Sequence, residues 1–191
     1  PGPNFYAYDV DTYSSTVFGT SSLQFFGGDF LPDNDEIFYA IDYGSNTLYS
    51  VNKLDGTTTM IGPASPPFGG AAFTGMACNK NTGVMYAVYT NISQSQLCTV
   101  DVTTGTVTPI GSPQSDAPGL IEIACDGTGT IYGWCIVNDA SYTIDPATGA
   151  ATYLGDLGVN LNYAQGGNWD PTNDVIYMAA YSAVGELRVL D

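Results

Sequence analysis

The chain contains no histidine and only three basic residues, Lys53, Lys80 and Arg188, in 191 positions. Without histidine there is no Ser-His-Asp or Cys-His catalysis, no His-ligated zinc and no imidazole acid–base chemistry. Nucleic-acid binding needs Lys and Arg to neutralise phosphates, and three scattered cations cannot do that. An anionic membrane surface repels a chain of net charge -16 for the same reason. No stretch approaches the roughly 20 apolar residues that cross a bilayer. The four cysteines include no Cys-x-x-Cys pair, so a zinc-ribbon signal is missing. No Gly-x-x-x-x-Gly-Lys phosphate loop is present, and a phosphatase on any scaffold would want more cationic ligands than this chain has. The opening Pro1-Gly2-Pro3 carries no signal-peptide pattern and reads as a mature or excised segment.

What is abundant is tyrosine, 14 residues, and glycine, 23. Tyr, Val, Ile and Thr favour strands, while Gly, Pro, Asn and Asp favour tight turns. The composition therefore points to many short strands joined by many turns. No segment shows a capped 3.6-residue period, so almost no helix is expected.

A repeat dominates the sequence. Phe5-Tyr6-Ala7-Tyr8-Asp9 recurs as Leu48-Tyr49-Ser50-Val51-Asn52, Leu97-Cys98-Thr99-Val100-Asp101, Ser141-Tyr142-Thr143-Ile144-Asp145 and Leu187-Arg188-Val189-Leu190-Asp191. The closing Asp or Asn residues are 43, 49, 44 and 46 positions apart. Ten residues after each of the first four stands a glycine: Gly19, Gly62, Gly111 and Gly155. A second block recurs between these, with Tyr39, Tyr86, Tyr132 and Tyr177 in common and a polar turn before each. The turns Asp101-Val102-Thr103-Thr104-Gly105 and Asp145-Pro146-Ala147-Thr148-Gly149 place Gly where a hairpin needs positive φ.

Each unit thus reads as four antiparallel strands, and four strands every 40–50 residues is the arithmetic of a propeller blade. The expected fold is an all-β β-propeller of four-stranded antiparallel blades, about four repeats in one domain spanning 1–191. The units run approximately 25–71, 72–118, 119–163 and 164–191, with N-terminal strands at 4–18. Those N-terminal strands are candidates to complete the last sheet as a ring-closing clasp. The ring either closes within this chain or belongs to a larger one.

The pattern Leu-Tyr-x-Val-Asp-x-x-Thr-Gly-x-x-Thr-x-Ile-Gly stands almost complete as Leu97 to Gly111, with Cys98 in the Tyr slot. It resembles the repeats of secreted or surface-anchored propeller proteins of uncharacterised function. That resemblance implies an extracellular address and an architecture, but carries no active-site motif.

What chemistry remains is that of carboxylates. The first strand of a blade lines the axis, and there Glu122 takes the slot of Gly28, Gly75 and Gly167, while Asp29 and Asn168 share the next slot. These three are the candidate metal ligands, and oxygen donors without histidine suit Ca²⁺. A carboxylate pair also suits glycoside hydrolysis. The alternative is that Asp29 and Glu122 bond exposed backbone of the channel wall. Acidic turns such as Asp33 to Glu36 lack calcium-loop spacing and read as hairpin turns. Asn91-Ile92-Ser93 is an N-glycosylation sequon in an expected loop. Aromatics that break the repeat, Trp134, Trp169, Tyr163 and Tyr181, are the candidate ligand contacts. No cofactor is certain. The function expected is an extracellular, non-catalytic binding, adhesion or assembly module, with a protein, a carbohydrate or further copies of itself as partner. The alternative is a carbohydrate-active propeller, lectin or carboxylate-based enzyme. The even number of cysteines is compatible with disulfides, but the repeat register brings no pair comfortably within bridging distance, Cys98 with Cys135 across adjacent blade faces coming closest, so buried thiols are expected.

Overall fold

The computed structural model describes residues 4–163 and 166–190; Pro1 to Pro3, Ala164, Gln165 and the last repeat aspartate, Asp191, lie outside them. The described residues contain no helix and 17 strands. Blade 1 is β3 (Phe25–Leu31), β4 (Asn34–Asp42), β5 (Thr47–Asn52) and β6 (Thr58–Pro63). Blade 2 is β7 (Ala72–Asn79), β8 (Val84–Thr90), β9 (Ser95–Val100) and β10 (Val107–Pro109). Blade 3 is β11 (Leu120–Cys125), β12 (Ile131–Cys135), β13 (Ala140–Ile144) and β14 (Ala151–Asp156). Blade 4 has three strands, β15 (Gly166–Asp170), β16 (Val175–Tyr181) and β17 (Gly185–Leu190). Every pairing within a blade is antiparallel between sequence neighbours, which short turns allow and a crossover does not. The four sheets form a four-bladed β-propeller whose innermost strands are β3, β7, β11 and β15.

The core lies between blades, because each sheet is apolar on both faces. Ile41 and Leu48 of blade 1 pack on Met76, Met85 and Val100 of blade 2. Val88 and Leu97 of blade 2 pack on Ile123, Ile131 and Ile144 of blade 3. Burying one such side chain contributes about 1.5–3 kcal/mol. Register makes Tyr39, Tyr86, Tyr132 and Tyr177 equivalent, each opposite the third-strand residue Ser50, Thr99, Thr143 or Val189.

The ten-residue offset of the repeat has a steric cause. Asp101 Oδ1 accepts the Thr103 amide at 2.8 Å, and Gly105 closes the turn at φ +82, a left-handed conformation that a side chain disfavours. That turn sits on the preceding blade: a Cβ built on Gly62 would stand 2.1 Å from the Thr104 carbonyl oxygen. Gly111 meets Thr148 of the next blade at 1.9 Å in the same way, and Gly19 meets Gly56 at 2.5 Å. Gly19, Gly62 and Gly111 are thus seats for the following turn, where backbone touches backbone, whereas nothing described lies within 4 Å of a Cβ on Gly155.

The N-terminal strands β1 (Asn4–Asp9) and β2 (Ser14–Thr20) do not clasp blade 4. They form a separate two-stranded sheet. The reason is competition: β17, a third strand like β1, already holds the outer edge of β16 from Ile176↔Leu190 to Tyr181↔Gly185. The hairpin lies against blade 1, where Phe5 stacks with Phe18 and Phe25 at 5.5 and 6.1 Å.

Candidate functional site

The inner strand of a blade has one backbone edge without a partner strand, and buried amides there need acceptors. On β7 they come from both neighbouring blades. Asp29 of β3 accepts the Cys78 amide at 2.7 Å, and Glu122 of β11 accepts the Met76 amide at 3.0 Å. Glu122 Oε1 also accepts its neighbour's amide, Ile123, at 3.0 Å. Asp29 further accepts the Phe30 amide, the Lys80 ammonium at 2.8 Å and the Asn168 side-chain amide of β15 at 3.1 Å. Lys80 also donates to the Phe30 carbonyl. Thr74 of β7 donates its hydroxyl to the Leu120 carbonyl at 2.8 Å.

Asp29 and Glu122 are both buried. Burial lifts the Glu122 carboxyl well above the usual range, against the lowering effect of the Ile123 and Met76 amides, and the negative charge of Asp29 raises it further. Asp29 instead faces Lys80, whose ammonium supplies the positive charge that a bound cation would bring. The sequence-based ligand set is therefore partly assembled: Asn168 and Asp29 touch, and Glu122 senses the charge of Asp29. Among the described residues no three His, Cys, Asp or Glu side chains cluster as a metal site. Glycines make this proximity possible, since a Cβ on Gly75 would stand 2.2 Å from Glu122 Oε1.

The four aromatic candidates separate. Trp134 is fully buried between blades 3 and 4, with Met178 and Ile176, and a Cβ on Gly167 would strike its ring at 2.4 Å. It takes the register position of Val88, so it fills the blade interface rather than meeting solvent; among the side chains of the described residues its indole N–H is the one buried polar group without a hydrogen-bond partner. Trp169 is half-buried over Gly127 of the preceding blade and donates to Asp174 at 3.0 Å. Tyr163 and Tyr181 come together on blade 4, ring centroids 6.0 Å apart, with Tyr163 78% exposed. Asn91 sits in the β8–β9 loop, where its Oδ1 accepts the Ser93 and Gln94 amides and Ile92 beside it has φ +69.

Sequence reasoning missed a broad open cleft of about 820 Å³ between blades 1 and 2, on the end of the molecule that carries the β4–β5 and β8–β9 turns. Its lining includes Tyr43, Asn46, Phe68, Tyr89, Asn91 and Ile92, and no charged side chain. Phe68 stands edge-on to Tyr89 at 4.9 Å. The signal was present: Phe68 is a non-repeating aromatic in the Pro-Pro-Phe-Gly-Gly segment that links the two blades.

The burial, the blade register and the glycine seats define a tandem-repeat β-propeller. The sequence profile of the repeat family of unknown function DUF6923 matches residues 30–190, and the chain belongs to that family. No curated protein matches the chain. A structural-genomics protein of unknown function from Bacteroides thetaiotaomicron is similar at 19% identity and TM-score 0.67, over 100% of this chain and 53% of that one. A chain of a nidogen/laminin complex is similar at 12% identity and TM-score 0.67, over 99% of this chain and 71% of that one. Virginiamycin B lyase from Staphylococcus aureus is similar at 12% identity and TM-score 0.57, over 100% and 63%. These likenesses concern the fold, and the chain spans about half the length of the Bacteroides protein.

Proposed function

We propose that this chain is a non-catalytic binding module of an extracellular repeat protein, with a protein or carbohydrate as partner. The observation that carries this reading is the use already made of the axial carboxylates. Asp29 is engaged by Lys80, Asn168 and two amides, and Glu122 by two amides. A general acid or nucleophile has to reach a substrate, whereas these two face blade backbone. The cleft between blades 1 and 2 supports the binding reading, with aromatic faces, backbone groups and no charge. An uncharged lining in a chain of net charge -16 favours a neutral ligand, such as a glycan. The structural likeness to a nidogen/laminin chain is compatible with an extracellular address.

The second reading is a carbohydrate-active propeller in which Asp29, Glu122 and Asn168 hold Ca²⁺ or act on a sugar. It draws on their convergence at the axis, and a calcium ion there has to displace Lys80. The Asn91 sequon, in the β8–β9 loop at the cleft, is the proposed glycosylation site if the chain passes through a eukaryotic secretory route.

Binding to arrays of neutral glycans and of extracellular proteins tests the first reading, with Tyr43→Ala and Ile92→Asp as variants on the cleft. Saturable binding weakened tenfold or more by either substitution supports it. Sugar cleavage by the unaltered chain that disappears in Glu122→Gln overturns it.

A further inference from the structure

The links that join one blade to the next are held in different ways. In the link between blades 2 and 3, Gln114 and Ser95 exchange both backbone hydrogen bonds, at 2.7 and 2.9 Å. The Asp116 carbonyl accepts the Tyr142 hydroxyl at 3.0 Å, and the Pro118 carbonyl accepts the Thr90 hydroxyl at 2.7 Å. In the link between blades 3 and 4, the Leu157 and Leu161 amides donate to Asp139, each at 2.8 Å, and the Asn162 amide donates to the Tyr181 carbonyl at 2.7 Å.

The link between blades 1 and 2 is tied only at its ends. The Ala64 amide donates to the Asn46 carbonyl at 2.8 Å, and the Ala71 amide donates to the Tyr89 hydroxyl. Between them, residues 65–70 read Ser-Pro-Pro-Phe-Gly-Gly, and no described residue hydrogen-bonds to their backbone. Their one firm contact is the Phe68 ring, edge-on to Tyr89 at 4.9 Å. Gly69 and Gly70 have open space where a Cβ would stand, and Gly70 has φ +76. A chain so little held, with two adjacent glycines, moves at low cost.

This segment lines the cleft between blades 1 and 2. Two carboxamides on the same lining are free as well: the Asn46 side chain and Asn91 Nδ2 have no hydrogen-bond partner among the described residues. Unpaired amides and carbonyls, aromatic rings and an uncharged lining complement a hydroxyl-rich neutral ligand.

We propose, resting on the glycan-binding reading of this cleft, that residues 65–70 are a strap that closes over a neutral oligosaccharide. Its backbone amides and the carboxamides of Asn46 and Asn91 take the sugar hydroxyls. Ala64 and Ala71 hold the ends of the strap, and the bending falls on Gly69 and Gly70.

Amide hydrogen exchange tests this on the intact chain, free and with maltohexaose, cellohexaose or mannohexaose. In the free chain the Phe68, Gly69 and Gly70 amides are expected to exchange unprotected, while the Gln114 amide exchanges at least tenfold more slowly. A hexaose that binds is expected to slow the three strap amides at least tenfold, and Tyr43→Ala to weaken both binding and slowing. Asn46→Gly suits the φ of +49 at that position, so it is expected to keep the melting temperature and to weaken binding at least tenfold. Strap amides as protected as Gln114 in the free chain overturn the strap, whatever binds. Binding that Tyr43→Ala weakens, with the strap amides still unprotected, overturns the strap and leaves the glycan reading standing. Unchanged affinity in Asn46→Gly overturns the assigned contacts. Binding of none of the three at millimolar concentration ends the glycan reading and the strap with it.

Discussion

Asn168 on β15 donates its side-chain amide to Asp29 on β3 across 3.1 Å, joining the last blade to the first through residues 139 positions apart. The same carboxylate accepts from Cys78 on β7 and from Lys80 just beyond its end, so three blades meet at one side chain. A buried acceptor shared in this way sets blade position, and its removal strands several donors together.

Glu122 governs a pH effect. Its carboxyl is raised by burial, so the folded state favours the protonated form. Stability from this group is full below the ordinary glutamate value, about 4.3, and falls as pH rises through the higher folded value. Glu122→Gln keeps an oxygen acceptor for Met76 and Ile123 and carries no charge. Its melting temperature is expected to match the unaltered chain at pH 4 and to exceed it at pH 8. Identical pH profiles for the two proteins would refute this.

The turn aspartates act in the opposite direction. Asp101 is lowered by its bonds from Thr103, and Asp145 by the Ala147 amide and the Thr148 hydroxyl. Their contribution is present above the ordinary carboxylate range and is lost as pH falls through their depressed values. Asp101→Asn and Asp145→Asn together are expected to flatten the acid limb of the melting curve below about pH 4. An unchanged acid limb contradicts that role.

The glycine seats make a contrast within one residue type. Gly62→Ala and Gly111→Ala place a methyl group against a turn carbonyl, the second also at φ +64 where a side chain is disfavoured, and each is expected to cost about 1–3 kcal/mol. In a chain of this size that is roughly 2–12 °C in Tm. Gly155→Ala, at an open position, is expected not to lower Tm. Equal losses at all three positions would show that blade contacts do not explain the repeat offset.

The cysteines report burial. Cys78, Cys98, Cys125 and Cys135 are unpaired and buried, and burial pushes the Cys78 thiol up to about 11 and those of Cys98 and Cys125 up to about 12. Thiol reagent at pH 8 is expected to label none of them in the folded chain and all four after unfolding without reductant. Fewer than four labelled groups on unfolding would mean that a disulfide had formed.

Much of this architecture was legible because strands and turns are local. The turn Asp126-Gly127-Thr128-Gly129 announces a hairpin, and register follows from it: Cys135 falls opposite Leu120, and Cys125 opposite Ile131, one residue from Thr130 where outward counting puts it. The glycine offset announced the repeat, although not that Gly62 lies under Thr104, a matter of how blades stack. The fate of Trp134 was not legible, because a residue that breaks a repeat can fill a gap as well as bind a ligand. Lys80 was invisible as the partner of Asp29, since the two are 51 positions apart and lie on different blades. The choice between β1 and β17 for the edge of β16 was open too, because both carry the same strand pattern.

Whether Asp29 joins blades or holds a metal decides between the two readings. Melting of the chain and of Asp29→Ala, each in EDTA and in millimolar calcium, is the direct measurement. The substitution leaves the buried Cys78 amide, Asn168 and Lys80 without their shared acceptor. It is expected to lower stability by about 3 kcal/mol or more, in EDTA and in calcium alike, with no shift of the unaltered chain on adding calcium. A calcium-dependent rise in Tm of the unaltered chain that Asp29→Ala abolishes, with little difference between the two in EDTA, would contradict the structural role and establish a metal site at the axis.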